Sequence, residues 1–123
     1  RIKRAMKQAF VDISIQKYNT IEVNLDALEK FRTAMDDDFN ISNVMTVVYE
    51  SLKAMNRSKE VKEIARYYHT ITLILSVLGI KLDLLPLSDE QIERYQAWQQ
   101  ARAEKRYNDA DRIRMELVEL GLL

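Results

Sequence analysis

The amino-acid sequence predicts an all-α fold, a helical bundle of about five or six helices, and three observations carry that expectation. Each apolar pattern in the 123 residues follows the 3.6-residue period of a helix, and none alternates over a strand's length. Only two Gly and one Pro are present, too few for the tight turns of a sheet but suited to long helices joined by short polar links. At this length, with 47% hydrophobic residues, the chain can build one modest core and no second independent domain. Residues 1–123 therefore read as a single bundle domain, with a main bundle over 1–87 and a closing helical pair over 88–123.

In the first helix, Ile2 to Tyr18, the residues Ala5, Met6, Ala9, Phe10 and Ile13 recur at helical spacing. Arg1, Lys3, Arg4 and Lys7 crowd its start against the helix dipole, so Arg1 is expected to be a cut inside a longer helix or its linker. Asn24 can cap a second helix whose stripe is Leu25, Leu28, Phe31, Ala34 and Met35. A third helix carries Val44, Val47, Val48, Leu52 and Met55 on one face and breaks at Asn56-Arg57-Ser58. Ser58 is expected to cap the fourth helix, where Val61, Ile64, Ala65, Tyr68, Ile71, Leu75 and Leu78 form the core stripe and Leu73, Ile74 and Val77 widen it. That width makes it the expected central helix, closed by a left-handed Gly79. The link Lys81 to Leu87 holds the only Pro, and Ser88 with Gln91 forms a capping box that opens a fifth helix through Ile92, Tyr95 and Trp98. That helix pauses near Arg106. The sixth runs through Ala110, Ile113, Leu117 and Leu120 and stops at Gly121.

Charge narrows the function. With 19 basic and 19 acidic side chains the net charge is zero, so nucleic-acid binding has to come from a local patch. No Cys and a single His, His69, exclude disulfides, thiolate zinc sites and His-activated nucleophiles built within the chain; His69 itself is expected on a helix flank without a special role. The most apolar run, Ile71 to Ile80, is about half the ~20 residues that a membrane span needs and reads as a buried helix. No secretory signal is visible, and the missing start Met suggests a fragment.

One stretch stands apart: Ala34-Met35-Asp36-Asp37-Asp38-Phe39-Asn40 puts three adjacent carboxylates between two strongly periodic segments. Read as structure, Asp38 or Asn40 accepts hydrogen bonds from the free N–H groups of the third helix, and acids there suit its dipole. Read as a metal or acid/base site, it meets the difficulty that successive helical positions fan out by ~100°, so Asp36, Asp37 and Asp38 do not converge on one ion.

This heptapeptide, followed by a helix ending at Asn56, resembles the signature that opens the helical tRNA-binding region of cysteinyl-tRNA synthetases. Ile41-Ser42 stands where the family usually continues with Thr-Pro, which leaves capping to Asn40 or Ser42. A second stretch resembles the closing helical pair of the same family: Ala101-Arg102, Lys105, Tyr107, Ala110-Asp111, Ile113-Arg114 and Leu117, ending in Gly121-Leu122. Arg106 replaces the family's Asp there, a usual helix cap, so that capping is expected to pass to Asn108, and Leu122 replaces its Ile. Two motifs in order, roughly seventy residues apart, are far more specific than either alone.

The resemblance implies the class I synthetase anticodon-binding bundle, of DALR-like type, as a C-terminal piece of a cysteine–tRNA ligase. It further implies a cytoplasmic and monomeric parent that attaches cysteine to its tRNA with ATP and a thiol-gripping zinc, both held by a catalytic domain. The His-Ile-Gly-His and Lys-Met-Ser-Lys-Ser type motifs of that domain are not in this sequence, nor is the Gly- and Trp-rich segment that commonly follows the last helix. The fragment is therefore expected to have no catalytic residues, no metal and no cofactor of its own, with tRNA and its own catalytic domain as partners. Two other functions fit the residues: a helical protein–protein adaptor, and the bundle of a related cysteine-activating ligase that conjugates a sugar amine without tRNA.

The RNA-binding candidates are Arg102, Lys105, Arg106 and Arg112, whose spacing returns to one face if the segment stays roughly helical. Glu104, Asp109 and Asp111 are interleaved, so a merely solvated face is the competing reading. Arg57, Lys59, Lys62 and Arg66 form a second, more diluted set. Trp98 and Tyr107 could stack on unpaired bases, although both fit apolar helical positions and are expected to pack in the core. Met6, Met35, Met45, Met55 and Met115 are expected as core filler.

Overall fold

The computed structural model describes residues 2–37, 40–82, 84 and 86–123, which form six helices and, among the described residues, no strand. They are α1 (Ile2–Ile15), α2 (Leu25–Asp36), α3 (Ile41–Arg57), α4 (Val61–Val77), α5 (Asp89–Ala103) and α6 (Tyr107–Glu119). Arg1, Asp38 and Phe39, singled out above, lie outside the described residues.

The starts of the helices follow local chemistry. Asn24 Oδ1 accepts from the Ala27 N–H at 2.9 Å and Asn40 Oδ1 from the Asn43 N–H at 3.2 Å, each satisfying one of the free donors of a first turn. Ser88 and Gln91 close a reciprocal capping box at the head of α5, with the Ser88 N–H donating to Gln91 Oε1 at 3.0 Å. Two expected caps are not made. The Ser58 hydroxyl turns back and donates to the Ala54 carbonyl at 3.0 Å, so α4 starts after Glu60, which makes no side-chain cap bond. Likewise α6 starts after Arg106 without a side-chain cap, and Asn108 lies inside the helix.

The first core gathers Met6 and Ala9 of α1, Phe31 and Ala34 of α2, the Val44, Val48, Leu52 and Met55 face of α3, and Ile64, Ile71, Ile74 and Leu75 of α4. Of these helices, α3 and α4 each pack against all the other three, so the central place expected of α4 alone is shared with α3. Its stripe is narrower than expected: Ile74 is buried, but Leu73 and Val77 are exposed. At the head of α2, Leu25 is exposed while the neighbouring Ala27 fills the core. Met6 and Met55 are buried and Met35 and Met45 half-buried, whereas Met115 is 66% exposed and is not core filler.

A second, smaller core lies on the opposite side of α1. There Val11 and Ile15 pack with Tyr95 of α5 and with Leu117 and Leu122 at the end of the chain, flanked by Ile92, Trp98 and Ile113. Successive helical residues are ~100° apart, which puts Val11 and Ile15 on the face of α1 away from Met6 and Ala9. One helix thus serves both cores. The α5–α6 hairpin closes onto that second face, and Arg94 of α5 pairs with Glu116 of α6 across it.

A long-range tie fixes how α2 enters. The Thr70 hydroxyl, fully buried on α4, donates to the Arg66 carbonyl and accepts from the Asn24 N–H, both at 2.7 Å. The residue that caps α2 is itself anchored to α4.

Candidate nucleic-acid interface

The four candidate cations lie on the α5–α6 hairpin, but not on one continuous helix. Between Ala103 and Tyr107 the backbone turns through Glu104, Lys105 and Arg106, so helical spacing does not carry the face of Arg102 across to Arg112. The turn is a left-handed C-terminal cap: the Arg106 N–H donates to the Ala101 carbonyl at 2.8 Å and the Lys105 N–H to the Arg102 carbonyl at 3.1 Å. Lys105 occupies the left-handed position with φ of 60°.

Each candidate then has its own setting. Arg102 stacks its guanidinium 4.8 Å above the Trp98 ring, and that ring meets Tyr95 edge-on at 5.3 Å. Arg106 pairs with Glu104 at 2.7 Å and with Asp109 at 3.5 Å, and Asp109 also approaches Arg112 at 3.9 Å. Asp109 therefore brings Arg106 and Arg112 together, while Arg102 is held on α5 against the indole. Lys105 has no ion-pair partner among the described residues, and it projects at the tip. Gln100 donates to Glu104 at 2.7 Å and, with the Arg106 charge, holds the Glu104 carboxyl below its usual range. Four cations and three carboxylates between Arg102 and Arg112 leave a net charge of +1. This tip is mildly positive rather than strongly basic.

The aromatic expectations divide. Trp98 is half-buried against the second core, as packing predicts. Tyr107 is 62% exposed at the first turn of α6 and is not a core residue, because α6 buries Ala110 and Leu117 instead. It stands beside Arg106 at the hairpin tip, free to stack. Burial pushes the Tyr95 hydroxyl up and outweighs its hydrogen bond with Gln8. In the second cation set, Arg66 is engaged by Glu22 and Glu63, both at 3.2 Å, which raises its pKa, first through the Glu22 bond.

Asp36 pairs loosely with Arg32 at 3.9 Å, the Asp37 N–H donates to the Thr33 carbonyl, and Asn40 caps α3. Among the described residues no group of three or more His, Asp or Glu side chains could hold a metal ion. Among the described residues, Asp26, Glu29, Asp37 and Glu50 line the groove between α2 and α3 with Lys30 as its one cation, a surface that repels phosphate.

Residues 30–83 match the DALR domain, which covers the end of α2, the acidic turn, α3 and α4. A six-helix bundle with that domain at its centre defines a class: the helical bundles of the synthetase anticodon-binding type. Within that class the relatives are specific. A cysteine–tRNA ligase of Acholeplasma laidlawii is 36% identical over 98 residues, or 80% of this chain and 22% of the relative. One from Lachnospira eligens is 36% identical over 104 residues, covering 80% and 22%. One from Mesoplasma florum is 26% identical over 126 residues, covering 99% of this chain and 28% of the relative. The chain belongs to the cysteine–tRNA ligase family, as its C-terminal helical region. It spans about a quarter of the length of these curated relatives. No solved structure matches it.

Proposed function

We propose that this chain is the tRNA-contacting helical module of a cysteine–tRNA ligase, and that it presents RNA with the tip of the α5–α6 hairpin. The observation that carries the reading is the DALR match over 30–83 within alignments that, in the Mesoplasma florum relative, run through the hairpin to the end of the chain. The main bundle over 1–87 and the closing pair over 88–123 act as one domain, an arrangement supported by Val11 and Ile15 packing on Tyr95 and Leu117. The parent works in the cytoplasm as a monomer, joins cysteine to its tRNA and uses ATP and zinc outside this region. The chain itself has no Cys, and no three ligating side chains converge among the described residues. No helix among the described residues is long and apolar enough to cross a membrane.

Phosphate contact at a mildly positive tip predicts weak, salt-sensitive affinity, with a Kd for tRNA on the order of 10⁻⁴ to 10⁻⁶ M near physiological salt. Changing Lys105 and Arg106 to Glu should weaken binding to every tRNA about equally and flatten the logarithmic salt slope by roughly one unit per lost phosphate contact. Both side chains are exposed, so the thermal midpoint should stay close to that of the parent chain. Wild-type binding and slope in the double variant would remove the tip from the interface. A second reading, a protein–protein adaptor, is favoured by Tyr107, Met115 and Val118, which leave exposed apolar surface along α6. It takes precedence if the unaltered chain shows no RNA binding even at low salt.

A further inference from the structure

Four helices end in the same motif, with the N–H of a residue in the left-handed region donating three residues back and the next N–H donating five residues back. Tyr18 to Ile13 and Lys17 to Ser14 close α1; Ile80 to Leu75 and Gly79 to Ser76 close α4. Arg106 to Ala101 and Lys105 to Arg102 close α5; Leu122 to Leu117 and Gly121 to Val118 close α6. The left-handed residue is Gly at two of these ends, with φ of 80° and 78°, and Lys at the other two, with φ of 53° for Lys17 and 60° for Lys105. Glycine takes this conformation without strain, whereas a lysine side chain crowds its own backbone.

The two kinds of cap sit at opposite ends of the molecule. Lys7 of α1 places Nζ 3.1 Å from where a Cβ on Gly121 would stand, and Lys3 and Lys7 share a groove with Leu84, Pro86 and Gln91. The start of α1, the start of α5, the stretch after Gly79 and the end of α6 therefore meet. Further along, Gln8 and Asp12 act on Tyr95, and Ile15 shares the second core with Tyr95 and Trp98. So α1 and α5 run side by side in one direction, and both stop at the far end, at Lys17 and Lys105. Neither lysine has an ion-pair partner among the described residues. The attraction between a cation and a helix C-terminus does not explain the choice, since it applies equally at Gly79. At Gly121 the cation comes from Lys7 of another helix.

We infer that the lysine-capped end of the bundle is the face that meets the RNA sugar-phosphate backbone, with Lys17 and Lys105 each contacting a phosphate. This rests on the RNA-binding reading above and adds α1 to it: the surface is built from two helix ends and not from the hairpin alone. Strain is retained at these two positions because a glycine there would supply the turn but no charge.

The test compares three pairs of substitutions in the 123-residue chain, using a tRNA transcript titrated across a salt series. Lys17→Gly with Lys105→Gly should reduce the logarithmic salt slope by about 1.5 units and weaken binding roughly tenfold at 0.1 M salt, while the thermal midpoint holds or rises. Lys17→Asn with Lys105→Asn, which also tolerates the left-handed region, should lose as much affinity. Lys3→Ala with Lys81→Ala, at the glycine-capped end, should leave the slope unchanged. The inference is overturned if the glycine pair keeps the wild-type slope, if the asparagine pair binds normally, or if the Lys3 and Lys81 pair loses as much. If instead the unaltered chain shows no salt-dependent binding, the RNA reading itself has failed.

Discussion

Thr70 offers the sharpest test of how this bundle is held together. Its hydroxyl is buried on α4 and joins two chain segments 46 residues apart, by accepting from the Asn24 N–H at 2.7 Å. Thr70→Val keeps the shape and the helix propensity and removes only the acceptor. The Arg66 carbonyl keeps its place in the helix ladder, but the Asn24 N–H is left partly buried without a partner, which costs roughly 2 kcal/mol. At about 2.1 cal/mol/K per residue the 123 residues have a melting entropy near 0.26 kcal/mol/K, so the midpoint should fall by about 8 °C. Thr70→Ser keeps the hydroxyl and loses one buried methyl, for about 1 kcal/mol and about half that shift. The order Val below Ser below wild type, read by circular dichroism melting, is the signature of a hydrogen bond. If Val melts with wild type or above Ser, methyl packing holds the position and the tie between α4 and the cap of α2 contributes nothing.

Three further outcomes follow from the same geometry. Asn40→Ala should cost on the order of 1 kcal/mol in a urea titration, because the Asn43 N–H loses its acceptor; an unmoved midpoint would assign the cap of α3 to another group. Asp12 is half-buried against the α5 side of α1, and desolvation raises its pKa above 3.8 despite the bond from Gln8. Its carboxyl therefore binds protons more tightly in the folded chain, a cost fully present above the raised pKa and relieved as pH falls through it; Asp12→Asn should stabilise the chain at pH 7 and show no gain near pH 3. Amide hydrogen exchange should find α5 and α6 opening before α3 and α4, since the hairpin rests on a core of five buried side chains; uniform protection across all six helices would contradict this.

What could be read in the sequence was local chemistry, and what could not was contact between distant segments. Asn24, Asn40, the Ser88–Gln91 box, Gly79 and Gly121 act on backbone within a few residues, and each forms where its side chain or φ requires. Ser58 shows the limit of that logic, since the same hydroxyl can serve the preceding turn, and here it bonds Ala54. The second face of α1 was invisible because Val11 and Ile15 become core only when a hairpin eighty residues later docks on them. Tyr107 looked like part of an apolar stripe, yet α6 turns Ala110 and Leu117 inward and leaves Tyr107 62% exposed. The left-handed lysines gave no warning at all, as lysine carries no preference for that conformation.

The distribution of strain and charge has one further consequence for how such a module meets RNA. A neutral chain has no long-range field to draw a polyanion, and the α2–α3 groove, with four carboxylates and one lysine, resists it. If the lysine-capped end is the RNA face, as we infer, binding depends on orientation, with that end facing the RNA and the acidic flank facing away. Orientation in turn depends on α1, the helix that both cores share, which fixes the hairpin tip relative to the α2–α4 bundle. Had the hairpin its own independent core, the tip could swing, and its few phosphate contacts would have to be ordered anew at each encounter. Because Val11 and Ile15 hold Tyr95 and Leu117 from one side of α1 while Met6 and Ala9 hold the DALR helices from the other, that ordering is achieved once, on folding.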